Sequence, residues 1–217
     1  MINNKVLFAC VFIFLSFFIV LFSTLKLVQP ELFAVSLTNA FDATASAYRQ
    51  NNSLAYPLPS PKILPNNPFY WGEMLQDKLR LLFTFDKQQK FVLLINYADT
   101  RLASGKILIL KGEDDLGVST ITKAEKYLLQ AYDLWKSELA KENLSQSLVT
   151  AFGQSFLSHQ QEIEPLLQET EDKNQDALKQ SLDMNKLIFN TQIKQLLPQD
   201  QFNFEKEIAS GSATKEE

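Results

Sequence analysis

Asp86-Lys87-Gln88-Gln89-Lys90-Phe91-Val92-Leu93-Leu94-Ile95-Asn96-Tyr97-Ala98-Asp99-Thr100-Arg101-Leu102 is the stretch on which the fold turns. Asp86 and Gln89 have the spacing of a capping box, in which each side chain satisfies an amide that the first helical turn leaves without a partner. Phe91, Leu94, Ile95, Ala98 and Leu102 then recur three and four residues apart, the period of an amphipathic helix. Lys90, Asp99, Arg101 and Lys106 fall off that face. The helix is expected over about residues 87–110, with Gly112 as the left-handed residue that closes it.

On either side of this helix the same period returns four more times. Upstream, Asn67-Pro68 suits an N-cap followed by a first helical residue that needs no N–H. Trp71, Met74, Leu75, Leu79, Leu82 and Phe83 follow in register. Downstream, residues 112–117 (Gly-Glu-Asp-Asp-Leu-Gly) read as a turn-rich, solvated loop. Their acids lack the alternating ligands and distal Glu of a calcium loop. Thr122 with Glu125 forms a second capping box, and a third helix is expected to about residue 141, burying Ala124, Tyr127, Leu128, Ala131, Leu134 and Trp135. A fourth starts near Ser145 or Ser147 and carries Leu148, Phe152, Phe156, His159, Ile163, Leu166 and Leu167. Pro165 bends it without ending it, because the stripe continues. Asp172-Lys173-Asn174 turns the chain into a fifth helix reaching Leu197, with Leu178, Leu182, Asn185, Phe189, Ile193 and Leu196 on one side. The last two form an antiparallel hairpin. No strand-like alternation of any length occurs, so the class is all-α.

Four segments are therefore expected: an anchor over residues 1–26, a linker over 27–66, a bundle of about five helices over 67–197, and a tail over 198–217 that is disordered at its end. Residues 6–25 carry no charge, and only Ser16, Ser23 and Thr24 are polar. As a helix they span about 30 Å, enough to cross the hydrocarbon core of a membrane. Lys5 and the amino terminus precede the span and Lys26 follows, which favours a cytoplasmic N-terminus and an extracytoplasmic bundle. Two rivals are cleavage after Leu32-Phe33-Ala34 or Ala45-Ser46-Ala47, giving a secreted protein, and lipidation at Cys10 within Leu7-Phe8-Ala9-Cys10. Residues 37–48 could form a short helix. Pro57, Pro59, Pro61 and Pro65 follow as a semi-rigid spacer, read as a stalk rather than a loop packed on the bundle.

Charge and composition narrow the function. Outside the first 26 residues there are 19 basic against 25 acidic residues, with no basic cluster to neutralise phosphates, so nucleic acid is excluded as a partner. Such a domain is also repelled by anionic headgroups, which leaves membrane attachment to residues 6–25. Cys10 is the one cysteine, so the bundle holds no disulfide and no thiolate metal site.

Catalytic constellations fall short. His159 is the single histidine and lies on the apolar face of the fourth helix, as a hydrogen-bonded, partly buried residue would. Ser155, four residues earlier, could touch it, but nothing identifies an orienting acid or an oxyanion hole. Six glycines include no phosphate-cradling motif. Glu162, Glu164, Glu169, Glu171 and Asp172 read as a solvated acidic patch, and Phe69, Tyr70, Trp71, Tyr97, Tyr127, Tyr132 and Trp135 as bundle core. No catalytic, cofactor or metal residue is assigned, and the protein is expected not to be an enzyme.

Leu64-Pro65-Asn66-Asn67-Pro68-Phe69-Tyr70-Trp71, the turn Leu82-Phe83-Thr84-Phe85-Asp86-Lys87, and Ala98-Asp99-Thr100-Arg101-Leu102-Ala103 together resemble a bacterial domain-of-unknown-function family. Its members are exported or membrane-anchored helical proteins, some attached to anti-sigma-factor-like regions, and His159 matches a histidine near the middle of their hairpin. The resemblance covers about residues 64–197 and implies fold and topology, with no activity to carry over. The function expected is a membrane-anchored extracytoplasmic interaction or scaffold module, held to lipid by residues 6–25 and docking an envelope protein. A regulatory or sensory ectodomain and a small-ligand or metal-binding bundle are the alternatives.

Overall fold

The helix read from the opening stretch runs Lys87–Leu110 and is the most deeply buried element among the described residues. The computed structural model describes residues 12, 16, 56, 58–142 and 144–197. The chain divides into two units, Met1–Ala40 and Phe41–Glu217. In the first, Phe12 and Ser16 are helical and Phe12 is exposed. No helix among the described residues is long and apolar enough to cross a membrane. The rest of the expected span, Cys10, both cleavage points, residues 37–48 and the tail lie outside the described residues.

Among the described residues the second unit holds five α-helices and no strand: α1 (Tyr70–Phe83), α2 (Lys87–Leu110), α3 (Asp114–Leu134), α4 (Gln146–Glu169) and α5 (Asp172–Ile188). α3 and α5 each run on into a π-helical turn, Trp135–Leu139 and Phe189–Ile193, which bring Leu139, Phe189 and Ile193 into the core. Asp86 caps α2 by accepting the Gln89 amide at 2.7 Å. α2 ends in a Schellman motif. Gly112, at φ +79°, donates to Ile109, and Glu113 donates to Leu108. Ser145 caps α4 by accepting the Leu148 amide, and α4 continues through Pro165.

Two boundaries differ from expectation. α1 begins at Tyr70, not Pro68, because Asn67 spends its side chain on the Phe69 amide within a turn. α3 begins at Asp114, eight residues before Thr122, so most of the expected loop is helix. Asp114 and Asp115 suit the positive end of the helix dipole. Thr122 is not a cap: its hydroxyl donates to the Val118 carbonyl inside the helix.

α2 and α3 pack closely where Gly105 meets Gly117. A β-carbon on either would stand within 3.0 Å of the other's carbonyl oxygen. The core has two apolar halves. One gathers Phe91, Ile95, Leu128, Phe152, Phe156, Phe189 and Ile193; the other gathers Leu102, Ile121, Ile163, Leu166, Leu178 and Leu182. Each fully buried side chain of this kind stabilises the fold by about 1.5–3 kcal/mol. Before α1, the described part of the Pro-rich segment is seated on the bundle: Leu58 packs against the second half and Asn66 donates to Glu113.

Candidate functional site

Between the two apolar halves lies one polar residue from each of four helices: Asp99 of α2, Glu125 of α3, His159 of α4 and Asn185 of α5. The register follows from the helical period. Ala98 and Leu102 flank Asp99, Leu128 and Ala124 flank Glu125, Phe156 and Ile163 flank His159, and Ile188 and Leu182 flank Asn185, each pair contributing one residue to each half.

His159 is fully buried and stands between the two carboxylates. Its Nδ1 lies 2.5 Å from Glu125 Oε1, and its Nε2 lies 3.2 Å from Asp99 Oδ1. Burial lowers its pKa, but the Glu125 charge and hydrogen bonds to Asp99 and Glu125 outweigh burial and raise it to about 9. At neutral pH it is therefore an imidazolium that donates from both nitrogens. Asp99 accepts two further bonds, from Ser155 Oγ at 2.6 Å and from the Tyr56 hydroxyl at 2.7 Å. Burial, then the Asp99 charge and hydrogen bond, keep Tyr56 protonated well above its ordinary range. Asn185 donates to Glu125 at 3.0 Å and accepts from Gln160 at 2.9 Å.

This arrangement has defined chemical consequences. Both imidazole nitrogens are occupied, so His159 has no free lone pair for general base work. Ser155 shares Asp99 with His159 but donates to the carboxylate, so the histidine does not activate it. Because the imidazole separates the carboxylates, their oxygens do not converge, and no group of His, Cys, Asp or Glu among the described residues could hold a metal ion.

The expectations divide accordingly. His159 and Asn185 lie on the core faces assigned to them. Asp99 and Arg101, read as off the core face, are both buried. Glu125 is no capping residue but a counter-charge of His159. Periodicity missed both acids because it ranks residues by polarity and does not pair them. The available signal was the lone histidine on an apolar stripe, which demands a buried partner. The acidic patch is largely paired: Glu162 with Lys106, Glu164 with Lys186 and Glu171 with Lys173. Asp114 and Asp115 accept from Glu171 and Asn174, tying the start of α3 to the α4–α5 turn.

A second feature lies at α1. Its apolar stripe was expected to face the core, yet no residue of α1 is buried. The helix is docked by a mixed side, through Leu81 on the first apolar half and through an ion pair. Asp77 Oδ2 meets the buried Arg101 guanidinium at 2.9 Å. That guanidinium lies over the Tyr127 ring at 4.6 Å and the Tyr97 ring at 5.5 Å. Glu73, Asp77, Arg80 and Thr84 share the half-buried side with Tyr70, Met74 and Leu81, of which Leu81 packs against the first apolar half, while Trp71, Leu75, Lys78, Leu79 and Leu82 are exposed. Trp71 keeps 65% of its surface and Leu82 68%; at the helix ends Phe69 keeps 73% and Phe85 87%. The aromatic set thus splits: Tyr97 and Tyr132 are core, whereas Phe69 and Trp71 face outward.

Residues 62–180 match the family described as "Domain of unknown function (DUF5667)". No curated protein and no solved structure matches the chain.

Proposed function

The chain belongs to the DUF5667 family, and on that premise we propose that it is a membrane-anchored, extracytoplasmic interaction module without enzymatic activity. The observation that carries this reading is α1, a helix held by an ion pair and Leu81 while the stripe Trp71, Leu75, Leu79 and Leu82 is turned outward. A soluble helix ordinarily buries that stripe. A contiguous apolar patch left on a surface marks a binding site. The anchor is residues 6–25, uncharged and long enough to span a bilayer. The polar layer around His159 supports a non-catalytic role, because its donors and acceptors are spent on one another.

Two measurements test the proposal together. Alkaline extraction and protease accessibility of native membranes should leave the chain in the membrane fraction, with the bundle cut only from the outer face. A photoreactive residue at Leu82 should capture neighbours in the envelope, whereas one at Lys126, on the outer side of α3, should not. Equal capture at the two positions would remove α1 as the docking face. Release by alkali would remove the anchor.

A further inference from the structure

We propose that the outward face of α1 docks on the lipid–water interface of the membrane; this deepens the reading of α1 as a docking face and rests on the anchor over residues 6–25.

The face has the composition of an interfacial helix. Leu75, Leu79 and Leu82 form its middle, Trp71 and Phe69 stand at one end, and Phe83 and Phe85 at the other. Tryptophan concentrates at the level of lipid headgroups, and amphipathic helices lie in that plane with Trp, Phe and Leu on the submerged side.

Charge selects lipid over a second copy. Lys78 sits within the exposed stripe. A two-fold pairing through this face would be isologous and would bring Lys78 of both copies toward the same buried seam, where like charges oppose association. At a membrane the lysine stem lies along the apolar surface while its ammonium reaches a phosphate. The acids of α1 do not interfere: Glu73 and Asp77 are on the half-buried side, and Asp77 is held by Arg101. Lys78 is the one charged side chain among the exposed residues of α1, in a chain whose net charge is −4. The acidity of the chain is therefore absent from this face, and an anionic headgroup meets Lys78 favourably.

The tether makes weak docking sufficient. Thirty residues separate the end of the uncharged segment from Tyr56, the first described residue of the bundle unit. At about 3.3–3.6 Å per extended residue that length does not restrict approach to the membrane. Insertion of α1 is then an intramolecular event at high effective concentration, so a helix too weak to bind vesicles alone can stay docked.

The experiment uses the full chain in vesicles of phosphatidylglycerol and phosphatidylethanolamine, some with brominated acyl chains. The protein has two tryptophans. Trp135→Phe leaves Trp71 as the sole tryptophan, and its selectively excited emission should be quenched by bromolipid in the protein but not in Leu75→Asp/Leu79→Asp. Because Trp135 packs on the core, a second readout avoids it: a spin label at Leu79→Cys in a Cys10→Ser background should be more accessible to oxygen than to a water-soluble nickel complex. The same label at Lys126→Cys should show the reverse. A chain that floats with vesicles while Trp71 is unquenched and the Leu79 label is water-accessible overturns the lipid inference and leaves the anchor standing. Dipolar coupling between Leu79 labels on two chains, with neither exposed to lipid, overturns it in favour of a second copy. A chain that does not float overturns the anchor and the inference with it.

Discussion

Raising the pH is expected to weaken the bundle within a window set by His159. Its folded pKa stands at about 9 against an ordinary 6.5, because Glu125 and Asp99 outweigh the effect of burial. A pKa raised on folding means that the native state holds its proton more tightly than the unfolded chain does. The stabilisation is therefore complete below pH 6.5 and is lost as the pH climbs through about 9. Between those limits the unfolded chain has released a proton that the native state keeps. The unfolding free energy then falls by about 1.4 kcal/mol per pH unit, and by about 3 kcal/mol across the window. For a bundle of this size that is a drop of roughly 10 °C in Tm. The Tyr56 hydroxyl, also raised, adds nothing until the pH exceeds its ordinary value of 10. The assay is thermal unfolding of the full chain in neutral detergent, followed by near-ultraviolet circular dichroism at half-unit steps from pH 6 to 9.5. His159→Gln should melt lower at pH 6.5 and lose the slope across the window. A wild-type Tm that is flat over this range, or a slope that survives in His159→Gln, would refute the argument.

Gly105→Ala should cost about 1–3 kcal/mol by overpacking, since its β-carbon would stand 2.5 Å from Ile121 and 2.8 Å from the Gly117 carbonyl. Gly72→Ala, with nothing within 4 Å, should instead stabilise α1 by about 0.5–1 kcal/mol; urea midpoints of the pair check both signs. Asp86→Ala removes the α2 cap and should cost about 1 kcal/mol in the same assay. Arg101→Met leaves Asp77 without its partner and should release α1 from the bundle. Hydrogen exchange over residues 70–83 should then quicken while the α2–α3 core stays protected, and unchanged exchange in α1 would show that the pair does not hold it.

Helix number, order and most faces were open to inspection because they follow from a 3.6-residue period and a few caps. Asp86, Gly112 and Ser145 act as such residues should. The start of α3 was misplaced because Thr122 and Glu125 imitate a capping box inside a helix, while Asp114 and Asp115 look like loop residues unless the helix dipole is weighed. The polar layer could not be assembled from periodicity. Asp99 and Glu125 lie 26 residues apart on different helices, and only their shared contact with His159 reveals why Asp99 is buried and Glu125 half-buried. α1 posed a different difficulty: the pattern identifies an apolar stripe but not whether the chain or its surroundings cover it.

α2 links the two features. Asp99 and Arg101 are two residues apart, so their side chains leave the helix in nearly opposite directions. Asp99 reaches Ser155, His159 and Tyr56, whereas Arg101 reaches Asp77 and the Tyr127 ring. Buried ions of this kind add little stability over well-packed apolar residues, because desolvation offsets their attraction. Their consequence lies in what they forbid. Slipping α4 by one turn against α2 and α3 would bury Asp99 and Glu125 without a cation, so the layer ties four helices to one register. Rolling α1 to bury Trp71, Leu75 and Leu79 would break Asp77 from Arg101 and strand a guanidinium among aromatic rings. Burial of Trp71, Leu75 and Leu79 favours that roll, but it would lift Leu81 off the core. The ion pair opposes it, and keeps the apolar face of α1 available to whatever lies outside the bundle.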